Sequence, residues 1–339
     1  MRILVTGGAG YVGSVTVEAL HEAGHDVVVL DDLSTGHRAA VVDGVTLHVG
    51  SYGDAETLAR LFDRHRIEAV LHCAAKSQVA ESVADPAKYY RENVAGGIVL
   101  LEGMRLAGIR RIVFSSTAAV YGMPERTPIT EDQAPAPISP YGETKRTFEE
   151  GLRWYGRAYG LRSVIFRYFN VAGASQRNGE AHSPETHLIP NVLAAAESDG
   201  ELTIFGDDFP TPDGTCVRDY IHVLDLAQAH VMGLKATDPS DQRTGPAEGP
   251  SAPFLCNLGN GTGFSNQEVV SVVERVTGRA IRRRVGPRRP GDPAVLIASA
   301  ARARDLLGWR PAHESLEAMV GSAWEWRRSH PRGYDQERP

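Results

Sequence analysis

Short aliphatic and β-branched runs alternate with stretches of helical spacing through the first 115 residues. Ile3-Leu4-Val5, Val27-Val28-Val29-Leu30, Ala69-Val70-Leu71-His72-Cys73 and Arg111-Ile112-Val113-Phe114-Ser115 predict four strands, and the segments between them predict helices near 13–23, 54–65 and 91–107. The strand runs are apolar with almost no polar alternation, so both of their faces must be covered. Strands of this kind alternating with helices predict an α/β fold built on a doubly wound parallel sheet. A helix over Tyr141 to Tyr159 and a strand over Ser163–Tyr168 extend the unit. Beyond 170 the pattern loosens, with Gly- and Pro-bearing loops at 171–190 and 206–215. Residues 238–253, rich in Pro, Gly, Ser and Asp, read as an exposed loop. The tail through Trp324-Glu325-Trp326-Arg327-Arg328 reads as a closing amphipathic helix whose tryptophans face the core.

Composition narrows the function classes. The chain has 339 residues, 42% hydrophobic and 23% charged, which excludes a disordered, fibrous or coiled-coil protein. A net charge of −6 argues against nucleic acid as the main partner, because such proteins need a basic face. No apolar run approaches the roughly 20 residues that span a bilayer. The N-terminal residues Met1-Arg2-Ile3-Leu4-Val5-Thr6 show no export signal. Cys73, Cys216 and Cys256 are scattered and never spaced as CxxC, so a reducing cytosol is expected. His72, His182, His187, His222 and His230 show neither i,i+4 pairing nor an H-E-x-x-H run, so no metal is expected. The basic run at Arg282-Arg283-Arg284 and Arg288-Arg289 reads as a solvated edge, apart from Arg289.

Two motifs carry chemistry. Thr6-Gly7-Gly8-Ala9-Gly10-Tyr11-Val12-Gly13 joins the first strand to the first helix and contains G-x-G-x-x-G. Glycines there permit a tight turn and close approach of backbone to a pyrophosphate, and the helix N-terminus offers N–H groups to it. Asp31 closes the next strand, where an acid bonds a ribose 2′-OH and repels a 2′-phosphate. The reading is a Rossmann-type site for NAD rather than NADP. The second motif, Ser139-Pro140-Tyr141-Gly142-Glu143-Thr144-Lys145, opens a helix with Tyr141 and Lys145 on one face. An ammonium beside a phenol favours the phenolate, so Tyr141 is expected to act as a general base on a sugar hydroxyl. Ser115-Ser116-Thr117, at the C-terminal end of a strand, offers a hydroxyl to relay the proton.

These motifs resemble the extended short-chain dehydrogenase/reductase superfamily. Arg167-Tyr168-Phe169-Asn170, Ile204-Phe205-Gly206, the run Thr211 to Val223 and Asn257-Leu258-Gly259 narrow the resemblance to the UDP-glucose (UDP-galactose) 4-epimerases. The resemblance implies an isomerase that oxidises C4 of a UDP-hexose transiently with tightly held NAD, in galactose metabolism. It implies an NAD domain over 1–170, to which segments near 215–250 return, and a smaller mixed α/β lobe over 171–339 that takes the UDP-sugar. It further implies a homodimer built on helices near 84–107 and 141–160. By the same resemblance Tyr141 is the base, Lys145 its electrostatic partner and ribose clamp, and Thr117 the relay. Gly7, Gly10, Tyr11, Val12, Gly13, Asp31, Asp32, Ser34, Gly36, Ser51, Tyr52, Cys73, Ala74, Ala75, Ser77, Asn93, Ser115 and Tyr168 would hold the cofactor. Asn170, His187, Leu188, Thr203, Phe205, Arg218, Arg289 and Asp292 would hold the UDP-sugar, with Leu296 as a gate beside the sugar's C2 substituent.

Alternatives stay open at this stage. Leu296 stands where some relatives have Tyr and others Cys, so a UDP-N-acetylglucosamine 4-epimerase, sole or dual, is a second reading. A nucleotide-sugar 4,6-dehydratase is a third. It needs a Thr-Asp-Glu run where this chain has Thr117-Ala118-Ala119, and alanines transfer no protons.

Overall fold

The computed structural model describes residues 1–198, 200–241, 253–289 and 291–334. The apolar runs form β1 (Arg2–Thr6), β2 (Asp26–Asp31), β3 (Thr46–Val49), β4 (Ala69–His72), β5 (Arg111–Thr117) and β6 (Arg162–Tyr168). Four strands follow: β7 (Asn170–Ala172), β8 (Glu201–Phe205), β9 (Val217–His222) and β10 (Phe254–Leu258). Seven of these make one parallel sheet in the order β10-β6-β5-β4-β1-β2-β3. Val5 pairs with Val29 on one side and Leu71 on the other.

Strand periodicity then sorts side chains to two faces. Ile3, Val5, Val29, Leu71, Val113 and Phe166 enter one apolar core. Leu4, Val28, Val70, Ile112, Phe114 and Ile165 enter the other. The helices that close them are drawn from α1 (Tyr11–Glu22), α2 (Ala55–His65), α3 (Val79–Ala84), α4 (Pro86–Tyr89), α5 (Gly97–Leu106), α6 (Pro140–Tyr159), α7 (Leu188–Ser198), α8 (Val223–Ala236), α9 (Asn266–Thr277) and α10 (Leu316–Ser329). Leu20 of α1 and Leu226 and Leu234 of α8 seal the first face. Leu58 of α2, Met104 of α5 and Phe148 of α6 seal the second. Each such side chain contributes about 1.5–3 kcal/mol when fully buried.

The strand order reverses between β1 and β4, which opens a crevice beyond their C-terminal ends. A smaller lobe stands over that crevice, completed by β11 (Gly263–Ser265), β12 (Arg282–Gly286) and β13 (Val295–Leu296). β9 pairs with β7 and β13 in parallel and with β11 antiparallel, while β8 pairs with β12. Its core joins Val192 and Leu193 of α7, Val269 and Val273 of α9, and Met319 and Val320 of α10.

Three local readings change. The helix expected from 91 begins at Pro86, where the Asp85 side chain caps Lys88 N–H at 3.1 Å, and passes through a π turn over Tyr90–Gly96 into α5. β3 gave no signal, because an edge strand paired only with β2 and half exposed lacks the continuous apolar run. Of the expected loop at 238–253, residues 242–252 lie outside the described residues. The closing helix is α10; Trp326 is buried and its indole N–H donates to Arg177 O at 3.0 Å. Among the described residues no helix is long and apolar enough to cross a membrane.

Burial makes one titration legible. His230 on α8 is fully buried, with Nδ1 2.8 Å from Leu226 O and Nε2 2.9 Å from Ser115 Oγ. Burial pushes its imidazole down to about 4. The unfolded chain protonates this histidine near pH 6.5 and the folded chain does not, so folding is favoured fully above 6.5. That contribution, about 3 kcal/mol, is lost as pH falls through the folded value. We expect chemical denaturation midpoints to drop from pH 7 to 4.5, with a shallower slope in His230→Gln. An unchanged slope in the variant would remove His230 from the account.

Candidate active site

The Gly-rich turn leaves β1 with Gly7 at φ +74°, and a Cβ on Gly13 would lie 1.9 Å from the Gly7 carbonyl oxygen. Turn and helix therefore pack backbone to backbone. α1 starts at Gly10 without a side-chain cap and without an acid in its first turn. Its leading N–H groups face the crevice unpaired, which is the donor set a diphosphate takes. The residues present thus fit NAD.

Asp31 ends β2 and is nearly buried. Its carboxylate accepts from Ala9 N and Leu33 N, each at 2.9 Å, so it braces the glycine turn. Burial raises its pKa and those two bonds oppose the rise. Asp32 accepts from Ser34 N at 2.9 Å and from Ser34 Oγ at 2.6 Å. Lys76 Nζ donates to the same Ser34 hydroxyl at 2.6 Å. Sequence reasoning passed over Lys76; its signal was a lysine three residues after Cys73, at the mouth of β4.

One crevice of about 1670 Å³ runs from this turn to the smaller lobe. Gly7, Gly10, Tyr11, Val12, Gly13, Asp31, Asp32, Ser34, Gly36, Ser51, Tyr52, Cys73, Ala74, Ala75, Ser77 and Tyr168 all line it. Asn93 and Ser115, expected against the cofactor, do not. Asn93 is buried with its amide clamped on Lys76, accepting from Lys76 N and donating to Lys76 O, both at 2.9 Å. It shapes the loop after β4 from behind. The Ser115 hydroxyl lies 3.3 Å from Cys73 Sγ and 2.9 Å from His230 Nε2, and its carbonyl accepts from Lys145 Nζ at 2.8 Å.

Tyr141, Lys145 and Thr117 all line the crevice, and the Tyr141 phenol bonds Thr117. The Ser139 hydroxyl accepts from Gly142 N at 3.2 Å and Pro140 occupies the first turn, which fixes where α6 begins. A Cβ on Gly142 would lie 2.5 Å from Ala119 O, so α6 seats directly on the end of β5. Burial pushes the Tyr141 phenol up to about 12, and a hydrogen bond with Thr117 opposes the rise. Burial pushes Lys145 down to about 8. Its ammonium is held by Ser115 O and lies over the Phe114 ring, 4.8 Å from the centroid. Thr117 is the hydroxyl that checks the rise of the phenol, while the Lys145 ammonium is turned to the Ser115 carbonyl.

Beneath this pair the sequence reading missed a buried salt bridge. Glu149 Oε1 accepts from Arg167 Nε at 3.0 Å and from Ser116 Oγ at 2.5 Å, tying α6, β5 and β6 together. The available signal was helical spacing, since Tyr141, Lys145 and Glu149 follow one another at i,i+4.

The smaller lobe supplies the far wall with Asn170, His187, Leu188, Thr203, Phe205, Arg218, Arg289, Asp292 and Leu296. Arg218, expected to take a phosphate, pairs with Asp292. Asp292 thus orients the guanidinium. Thr203 Oγ1 accepts from Arg284 Nε at 3.1 Å, and Arg289 lies over the Phe205 ring at 4.1 Å. Leu296 packs against the cluster of Ala118, Ile129 and Phe169.

Residues 3–244 match the NAD dependent epimerase/dehydratase family. A UDP-glucose 4-epimerase of Streptomyces lividans is 50% identical over 336 residues, 98% of each chain. A crystal structure of a UDP-glucose 4-epimerase superposes with a TM-score of 0.93 at 45% identity, covering 98% of this chain and 99% of that one. The UDP-glucose 4-epimerase of Bifidobacterium longum in complex with NAD+ and UDP superposes with a TM-score of 0.90 at 35% identity, covering 98% and 100%. The fold, the uncapped helix at the glycine turn and these likenesses agree: the chain belongs to the NAD-dependent epimerase/dehydratase family, within its UDP-glucose 4-epimerases.

Proposed function

We propose that the protein interconverts UDP-galactose and UDP-glucose, with NAD held throughout the cycle. The observation that carries this reading is the joint placement of Tyr141, Thr117 and Lys145 in the crevice that begins at the uncapped N-terminus of α1. NAD held at the glycine turn would supply a reversible hydride acceptor for C4 of the sugar. Tyr141 accepts the 4-OH proton and later returns it. Thr117 keeps the phenol's pKa from rising further and bonds the same hydroxyl. Lys145, fixed by the Ser115 carbonyl, holds positive charge beside the reacting oxygen. The smaller lobe grips the UDP, Arg218 and Arg289 taking the diphosphate as cations do. The hexose is left loose enough to turn over.

In this reading residues 1–170, with segments near 215–250 returning to it, form the NAD domain, and 171–339 mainly form the UDP-sugar lobe. Ala118 and Ala119 line the crevice after Thr117, where a dehydratase needs an acid and a base. Incubation of the purified protein with UDP-galactose, without added NAD, is expected to yield UDP-glucose by chromatography. A 4-keto-6-deoxy product would overturn the proposal. The same assay tests the second reading. Leu296 can change rotamer at modest cost, so slower turnover of UDP-N-acetylglucosamine is expected, and Leu296→Tyr should suppress it selectively. An unchanged ratio removes Leu296 as the gate.

The protein acts as a homodimer in the cytosol. Supporting the dimer, α5, α6 and the π turn expose Tyr90, Ile98, Leu106 and Trp154. Supporting the compartment, all three cysteines are free. Sedimentation equilibrium should read two chains; a monomer at micromolar concentration would refute the assembly.

A further inference from the structure

The loop that enters α7 carries a cluster of which the proposed UDP-sugar site uses only His187. Glu180, His182 and His187 place one donor atom each within 4.8 Å of one another on the crevice wall. Their side chains are 10%, 24% and 53% exposed, so the cluster is backed by protein and open on one side. Glu180 bonds His182 Nδ1, and its second oxygen lies 4.0 Å from His187 Nδ1. Glu185 Oε1 lies 2.8 Å from the same His187 nitrogen and fixes that ring.

Charge makes the arrangement informative. Among the described residues, the ion pairs of Glu180 run to these two histidines. Glu180 and Glu185 both raise the buried Tyr11 phenol, so the pocket around Tyr11 already carries excess negative charge. Glu180 and Glu185 hold both imidazoles above their ordinary value, so protons compete with an ion for these nitrogens. Two imidazoles and a carboxylate are the donor set of Zn2+ and its first-row neighbours, and not of Ca2+ or Mg2+. A four-coordinate ion at about 2.1 Å from each donor needs donors roughly 3.4 Å apart. Closing the cluster by about an ångström within a turn-rich loop is enough.

We propose that Glu180, His182 and His187 form a three-ligand site for a divalent first-row transition metal of the zinc type, with a fourth position open to the crevice. The ion staples the 179–187 loop, which already bridges the two parts of the molecule. Gly179 N donates to Tyr334 Oη at 3.1 Å, His37 Nε2 is 3.3 Å from Ala181 O, and Gln78 Nε2 donates to Pro184 O at 3.4 Å. The sequence hid this site because its histidines are five apart on a loop, with the glutamate two before the first.

Titration of the untagged protein with Co2+ after chelator treatment tests it, at mildly alkaline pH where imidazoles are free of protons. One equivalent is expected to bind with the strong visible absorption of a low-coordinate cobalt ion, and one equivalent of Zn2+ should bleach it. His182→Ala and Glu180→Gln should each weaken binding by at least the roughly 10- to 100-fold seen on losing an outer partner. His65→Ala, in the separate His48–His65 contact of 2.8 Å, should leave it unchanged. No stoichiometric band in the unaltered protein, or a band that survives His182→Ala, overturns the proposal. The first of these outcomes decides the matter even if a variant fails to fold, and it would leave the cluster as a proton-holding network only. His187 is not varied, since the UDP side of the crevice also uses it.

Discussion

Tyr141→Phe should lose at least the roughly 10²–10⁴-fold that a positioned acid–base group contributes, with fold and bound NAD retained. The expectation rests on the placement of Tyr141 in the crevice, where its phenol bonds the Thr117 hydroxyl. Lys145→Met should also cripple turnover, because the ammonium held at Ser115 O is the local positive charge. Thr117 separates two roles. Its bond opposes the burial-driven rise of the phenol, so Thr117→Ala should push that pKa higher and move the ascending, acid-side limb of the kcat–pH profile to higher pH. Thr117→Ser keeps the bond and should be nearly silent. Steady-state kinetics across pH, with NAD content measured by absorbance, checks all four variants. Near-normal activity in Tyr141→Phe would mean the base has been misassigned.

Gly13→Ala should release NAD. The added methyl carbon would sit 1.9 Å from Gly7 O and 2.9 Å from Gly8 Cα, both backbone atoms that cannot swing aside. The turn must open, and the N–H groups of α1 then lose their aim at the diphosphate. The chain should still fold, since β1 and Asp31 are untouched, but it should purify without nucleotide. Activity should return only at high added NAD. Retention of a full complement of NAD by the variant would show that the glycine turn is not what grips it.

Much of this site was legible because it obeys local rules. A strand, a glycine turn and a helix follow one another at Leu4 to Val17, and helical spacing alone puts Tyr141 beside Lys145. What stayed hidden depends on distance in the chain. Glu149 meets Arg167 across two elements, and Arg218 meets Asp292 across 74 positions, so neither pair leaves a periodic trace. Asn93 bonds the Lys76 backbone and Ser115 faces His230, because a motif names a position without saying which way its side chain turns. Spacing alone gives neither the Thr117–Tyr141 bond nor the turn of the Lys145 ammonium toward Ser115 O.

The strand at one edge of the large sheet has a cost in time. β10 begins at Phe254, and it pairs with β6, whose last residue is Tyr168. As the chain leaves the ribosome, roughly 86 residues must be added before that edge is covered, which takes roughly 4–17 s at ordinary synthesis rates. For that interval β6 offers a row of unpaired amides and carbonyls beside Phe166, a template for pairing with any other nascent chain. Tyr141, Lys145 and Thr117 are already synthesised by then, yet the sheet under them is still one strand short. A ribosome stalled anywhere in that span should therefore yield an aggregation-prone product that depends on chaperones, whereas one stalled after Leu258 should not.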